Sequence, residues 1–313
     1  MSMDPGPRDS SVLHLQSQHR SDVVWKAGGG DCQRSRKRDP TQNKFFKVHE
    51  RMIPILADLR FDGVSRLASI DLDWGLLTAL IEHWRPETHT FHLPVGECSI
   101  TLQDVNVLLG LRIDGDAVTG GTQVNGGWEN LVKQIFGKAP GTSLKGARLL
   151  LSWLTTNYKT LHDDASDVEL IRYTQSYLLQ LFAGVLFSDH SGGQIHCMYL
   201  PLIQDFGRCR TLAWGSAVLA FLYRELCKAC KIGVRENAGC LILLQLWAWT
   251  RLPTLAHVPR GPSLDNSVIW GDRSGPYGMR WCSHFGMLTL LVCIIHELVD
   301  LTCSRFSCSI IYL

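Results

Sequence analysis

The sequence predicts a mainly α fold, a single large irregular helical domain with one short β-hairpin at about residues 88–100. Three observations carry this. Apolar residues recur at three- and four-residue steps over several long stretches, as on one face of a helix. One run, residues 88–93, alternates polar and apolar and is followed by a turn. Strand and helix patterns do not alternate along the chain, which argues against a doubly wound parallel sheet.

Residues 1–44 read as a flexible polar and basic leader. Pro5, Pro7, three consecutive glycines from Gly28 and many Ser, Arg and Asp residues leave it little to bury. Its dense basic run, Arg34, Arg36, Lys37 and Arg38, suits a nuclear-import signal, a phosphate contact or a solvated linker. The body spans residues 45–281. Val48, Met52, Ile55, Leu56 and Leu59 mark a first helix, with Pro54 in its first turn or at a kink. Leu72, Leu76, Leu77, Leu80, Ile81 and Trp84 mark a second, capped by Asp71 or Asp73 and stopped at Arg85 and Pro86.

Residues 87–111 form the best-defined stretch. Thr88, His89, Thr90, Phe91, His92 and Leu93 alternate like a half-buried strand, and Pro94, Gly96 and Glu97 supply a turn. Thr101 and Asp104 have capping-box spacing, and Gly110 stands where a C-cap belongs. Residues 112–127 read as loop. Helices are expected over residues 144–154, 168–186, 213–230 and 240–250, the last apolar nearly all round and therefore central.

With 313 residues, 45% of them hydrophobic, the chain can bury a substantial core. A net charge of +2 argues against a globally charged nucleic-acid binder. The eleven cysteines are scattered, and no apolar signal segment opens the chain, so they are expected to be reduced and mostly core-filling. Cys227 and Cys230, with Cys240 nearby, have the spacing of half a zinc site. No second pair follows at matching spacing, and i,i+3 cysteines on one helix face fit core packing. His89 and His92 fall on opposite faces of a strand.

Asp163, Asp164 and Asp167 read as solvated helix caps, and Glu225 with Lys228 as a routine surface pair. The glycine-rich residues 112–127 lack the spacing of a phosphate cradle, and neither a GxSxG nor an HExxH motif is present. The ten tryptophans fall in register with Leu and Ile, which favours core filling over base stacking.

The run Trp84, Arg85, Pro86, Glu87, Thr88, His89, Thr90, Phe91, His92, Leu93, Pro94, then Gly96, Glu97, Thr101 and Asp104, strongly resembles the plant mobile domain, also labelled aminotransferase-like. The pieces beginning at Tyr199, at Trp214 and Gly215, at Leu222, at Leu243 with Trp247 and Trp249, and at Gly275 match in the same order, so the resemblance covers residues 4–281. It implies a nuclear plant protein without established catalysis or cofactor. Such proteins are linked to meristem maintenance, transposon silencing and genome stability, through contact with another mobile-domain protein or a phosphatase 7 homologue. The alternative is a transposon-derived nucleic-acid binder. A literal aminotransferase would need a Schiff-base lysine, but Lys133, Lys138, Lys145 and Lys159 lie in no strand–loop–helix context.

Residues 282–313 form an aberrant apolar, Cys-rich tail without the family's motifs, so a C-terminally truncated domain is expected. Its longest apolar run, residues 287–295, is too short for a membrane span. The signature itself reads as a structural clasp between the N-terminal helices and the helical body.

Overall fold

The computed structural model describes residues 12–27, 32–34, 48–67, 72–93, 96–121 and 124–252. Arg36, Lys37, Arg38, Pro94, the piece beginning at Gly275 and the tail therefore lie outside the described residues.

The described part of the leader is docked, contrary to the flexible segment expected. A 3₁₀ turn at Gln16–Gln18 leads into α1 (Arg20–Ala27). The Arg20 N–H donates to the Cys230 carbonyl at 2.8 Å, and the Ile232 N–H to the Gln18 carbonyl at 2.9 Å. Gln33, buried, donates its amide to the carbonyls of Ala229 and Val234 at 2.9 and 2.7 Å. Hydrogen bonds rather than an apolar stripe hold this strap, so hydrophobic periodicity does not announce it.

A 3₁₀ turn at Glu50–Met52 precedes α2 (Ile53–Asp58), where Pro54 occupies the first turn and its missing N–H leaves no bond unmade. After α3 (Asp62–Ser65) comes α4 (Trp74–His83), capped by Asp73, whose carboxylate accepts the Leu76 N–H at 3.0 Å. Strands β1 (Trp84–Arg85), β2 (Thr90–Leu93) and β3 (Gly96–Cys98) form an antiparallel sheet in that order, one strand more than the expected hairpin. Phe91 sits opposite both Trp84 and Cys98. Thr88 and His89 lie in a turn, not in the strand. His89 takes φ +54°, and its N–H donates to the Arg85 carbonyl at 2.9 Å. Next, α5 (Leu102–Leu109) opens on the expected capping box and closes on Gly110 at φ +74°.

Beyond the loop, α6 (Gly127–Phe136) buries Leu131, Val132, Ile135 and Phe136. The helix expected over residues 144–154 is instead β4 (Leu144–Lys145), β5 (Arg148–Leu150) and then α7 (Leu151–Asn157). Gly146 at φ +60° turns the chain between the strands, which a helix could not tolerate. Next, α8 (Asp167–Leu181) is capped by Ser166 and Glu169 rather than by the aspartates. Asp163 lies 3.1 Å from His49, and Asp167 3.3 Å from Arg51. The helix then widens into a π-turn at Phe182–Leu186, where the Phe187 N–H reaches back five residues to the Phe182 carbonyl at 2.7 Å.

Strand β6 (Gln194–His196) completes a second antiparallel sheet, ordered β4-β5-β6. The short α9 (Leu200–Ile203) and α10 (Phe206–Cys209) lead to the long α11 (Trp214–Ala229) and to α12 (Leu241–Arg251). Every residue of α12 from Leu241 to Trp249 is buried, so it is the central helix, as its all-round apolar sequence predicts. The architecture is mainly α, with two small three-stranded sheets among the described residues. Among those residues no helix is long and apolar enough to cross a membrane.

Candidate functional site

The signature residues assemble into a clasp. Trp84 has no solvent exposure and packs edge-on against Phe91 and Tyr223, each with ring centres 4.9 Å away. Its indole N–H donates to the Cys227 sulfur at 3.4 Å. Arg85 is buried, with Nη1 3.0 Å from His19 Nδ1. His19 Nε2 lies 2.7 Å from the Trp84 carbonyl, which can only accept, so the proton sits on Nε2 and Nδ1 accepts from Ser21. Burial first, then the Arg85 guanidinium, lowers the His19 pKa from 6.5 to about 4. Glu87 accepts the Leu15 N–H at 2.7 Å. These bonds tie the strap to the body.

The other signature residues are bonded or packed within the fold. Thr88 and Thr90 share a hydrogen bond at 2.6 Å, and Thr90 donates to Glu97 at 2.9 Å. His92 lies 3.3 Å from Glu97, while the ring of His89 stacks on Tyr223. Pro86 is part of the turn and Gly96 of β3. The Thr101 hydroxyl accepts the Asp104 N–H at 3.2 Å, and Asp104 also meets Arg251 at 2.6 Å. Trp214 packs on Phe182 at 4.8 Å, and Gly215 lets α11 approach so closely that a Cβ would come within 3.0 Å of the Arg112 carbonyl. Trp247 stacks on Phe91 at 4.9 Å, and Trp249 is buried in the core.

The cysteines of the supposed zinc half-site do not converge on an ion. Burial pushes the thiols of Cys230 and Cys240 up to about 12, which opposes the thiolate a metal needs. Among the described residues no three His, Cys, Asp or Glu side chains are grouped to hold a metal. Arg34, the one described residue of the basic run, is exposed, and its backbone is pinned to the loop at Arg235 and Asn237.

The chemistry that remains uncommitted lies elsewhere, in a cleft of about 630 Å³ between the π-turn, β6 and α11. Its floor is aromatic: Phe187 stacks on Tyr199 at 5.1 Å and meets Phe221 edge-on at 5.6 Å. Its walls are charged. Arg148 donates to Asp189 at 2.9 Å. Glu225, expected to be a surface residue, is 3% exposed. One of its oxygens accepts from Lys228 at 2.7 Å and lies 3.5 Å from Arg224, while the other faces His190 at 3.6 Å. His190 also faces Glu236, next in sequence to the residues that pin Arg34. The Arg224 guanidinium rests over the Phe221 ring at 4.8 Å. His196 lines the same cleft, its pKa lowered by burial and then by Arg148, and raised by Asp189.

Sequence reasoning misses this cleft because its parts come from three separated segments, each bland alone. The one readable trace is the placement of Arg224, Glu225 and Lys228 at the end of an otherwise apolar helix pattern.

Comparison with known proteins gives these features a lineage. A family model described as Plant mobile domain matches residues 61–290, nine residues past the last motif read from the sequence. The chain is 42% identical to a serine/threonine-protein phosphatase 7 long form homolog of Arabidopsis thaliana, over 89% of this chain and 21% of that protein. It is 37% identical to Protein MAIN-LIKE 2 of the same plant, over 88% of this chain and 42% of that protein. With Protein MAINTENANCE OF MERISTEMS it shares 32% identity, over 77% of this chain and 50% of that protein. The chain thus spans half or less of the length of these relatives. No solved structure matches it. The family match takes in the cleft and the body side of the clasp, from Trp84 onward, and the chain belongs to the plant mobile domain family.

Proposed function

We propose that this chain is a non-catalytic interaction module of a nuclear plant protein. It serves meristem maintenance, transposon silencing and genome stability by binding another mobile-domain protein or a phosphatase 7 homologue. One observation carries the reading. A stretch of 241–286 residues recurs inside relatives of different names, and makes up half of each or less. A module attached to different remainders supplies recognition more readily than a complete reaction. The signature supports this, because its ionisable side chains are engaged in holding the fold rather than converging on a substrate position.

The test is affinity purification of the tagged chain from plant nuclei. The expected result is co-purification of a second mobile-domain protein or a phosphatase 7 homologue. Recovery of neither, or exclusion of the chain from nuclei, counts against the reading. DNA binding whose affinity falls steeply with salt would replace it with the nucleic-acid alternative.

A further inference from the structure

We propose that the cleft between the π-turn, β6 and α11 binds an acidic peptide segment of a partner protein. This rests on the interaction reading above and specifies the surface and the chemistry. The first argument is a count of donors against acceptors. A guanidinium has five N–H donors and an ammonium three. Arg148 spends one on Asp189, and Lys228 one on Glu225. Arg224 approaches Glu225 only through Nε, at 3.5 Å. The carboxylates, by contrast, are occupied. Asp189 accepts from Arg148 with one oxygen, and from the Ser191 N–H and hydroxyl with the other. Glu225 meets three cationic or titratable partners while 3% exposed. Donors are in surplus and acceptors are used, so the complementary ligand brings acceptors and negative charge.

The second argument is shape. The aromatic floor of Phe187, Tyr199 and Phe221 offers apolar area between the cations. A chain that alternates carboxylates with apolar side chains satisfies both walls and floor. The third is the edge strand. β6 lies at the end of its sheet, and no described strand pairs with its outer side. Ile195 pairs with Leu149 toward β5, as Cys197 does with Ala147, so the intervening His196 turns its backbone N–H away from β5 on a residue that lines the cleft. An extended segment can dock there as an added strand.

The full chain is titrated, by fluorescence anisotropy, into a short labelled peptide alternating Glu and Leu and into a counterpart with Lys in place of Glu. The Glu peptide is expected to bind at least about tenfold more tightly, and Arg148→Gln and Arg224→Gln each to weaken it by about fivefold or more. Equal affinity for the two peptides overturns the proposal. So does full binding by the double variant when its thermal midpoint matches that of the parent. A labelled polythymidine strand that outcompetes the Glu peptide, and is lost in the same variants, overturns it in favour of nucleic acid. Undiminished recovery of a mobile-domain partner by the double variant sinks the cleft and leaves the interaction reading intact. Failure of the parent chain to recover any such partner sinks that reading, while the peptide titration still decides the cleft.

Discussion

The clasp and the cleft use the same helix and treat polar groups in opposite ways. Tyr223 and Cys227 of α11 face the clasp, where they meet Ser99 and Trp84. Arg224, Glu225 and Lys228 of α11 face the cleft. In the clasp, His19, Ser21, Arg85 and Glu87 are bonded to one another or to backbone groups. In the cleft, the cations keep donors that no carboxylate among the described residues takes up. Internal closure of a polar network is what a structural element needs, because an unpaired buried polar group costs about 1–3 kcal/mol. A surplus of one kind of group at a concave, partly exposed surface is what a recognition site needs. The most recognisable motif is thus the scaffold, and the less recognisable cleft is the part with chemistry to spare.

Two predictions would break this contrast if they failed. Trp84→Ala should have the largest effect. It removes a fully buried indole packed between Phe91 and Tyr223, and should cost about 3–5 kcal/mol in denaturant unfolding. A cost below about 1 kcal/mol would mean the clasp does not hold the fold. The second is a pH dependence. The folded His19 pKa of about 4 lies below its ordinary 6.5, so the unfolded chain binds this proton more readily. Its contribution is complete above pH 6.5 and is lost as the pH falls toward 4. Stability should drop by about 2 kcal/mol between pH 7 and pH 5, and His19→Gln should remove most of that slope. A parent chain with flat stability over that range would show that His19 is not held neutral.

The two regions also differ in how far they could be read from the sequence. The helices around α4, α5, α8, α11 and α12 follow apolar periodicity, and Thr101, Asp104 and Gly110 state the bounds of α5 outright. These are local signals. The strap escapes because Gln33 and His19 bind carbonyls and side chains many residues away. The strands at residues 144–150 escape because their leucines fit a helix as well, and one glycine at φ +60° decides the matter. Glu225 shows the limit most clearly. Its spacing to Lys228 is that of any surface pair, and it is covered by residues far away in sequence, among them His190 and Gly239. Spacing along a helix says which residues share a face, not whether that face is covered.

A smaller effect sharpens the reading of the signature. Thr101→Ala should cost about 1 kcal/mol, the usual loss for an N-cap hydroxyl. Thr101→Ser should restore most of it, since only the oxygen accepts the Asp104 N–H. If both cost the same, the Thr101 methyl rather than the cap would be what matters there.

The smallest expected effect bears hardest on the comparison. Arg224 is 62% exposed at its side chain, and its nearest carboxylate contact is 3.5 Å. Arg148 is 37% exposed and pairs with a similarly exposed Asp189. Pairs of this kind contribute about 0–1 kcal/mol, so Arg224→Gln and Arg148→Gln should each shift unfolding by no more than about 0.5–1 kcal/mol. Arg85→Gln should cost clearly more, because it opens a buried network and leaves His19 and Glu87 without their cation. Equal costs at the three arginines would make the cleft cations structural, like the clasp's, and remove the reason to look there for a partner. A near-zero cost in the cleft beside a large one in the clasp would leave those charges with no work inside the chain, and binding as the property that accounts for their placement.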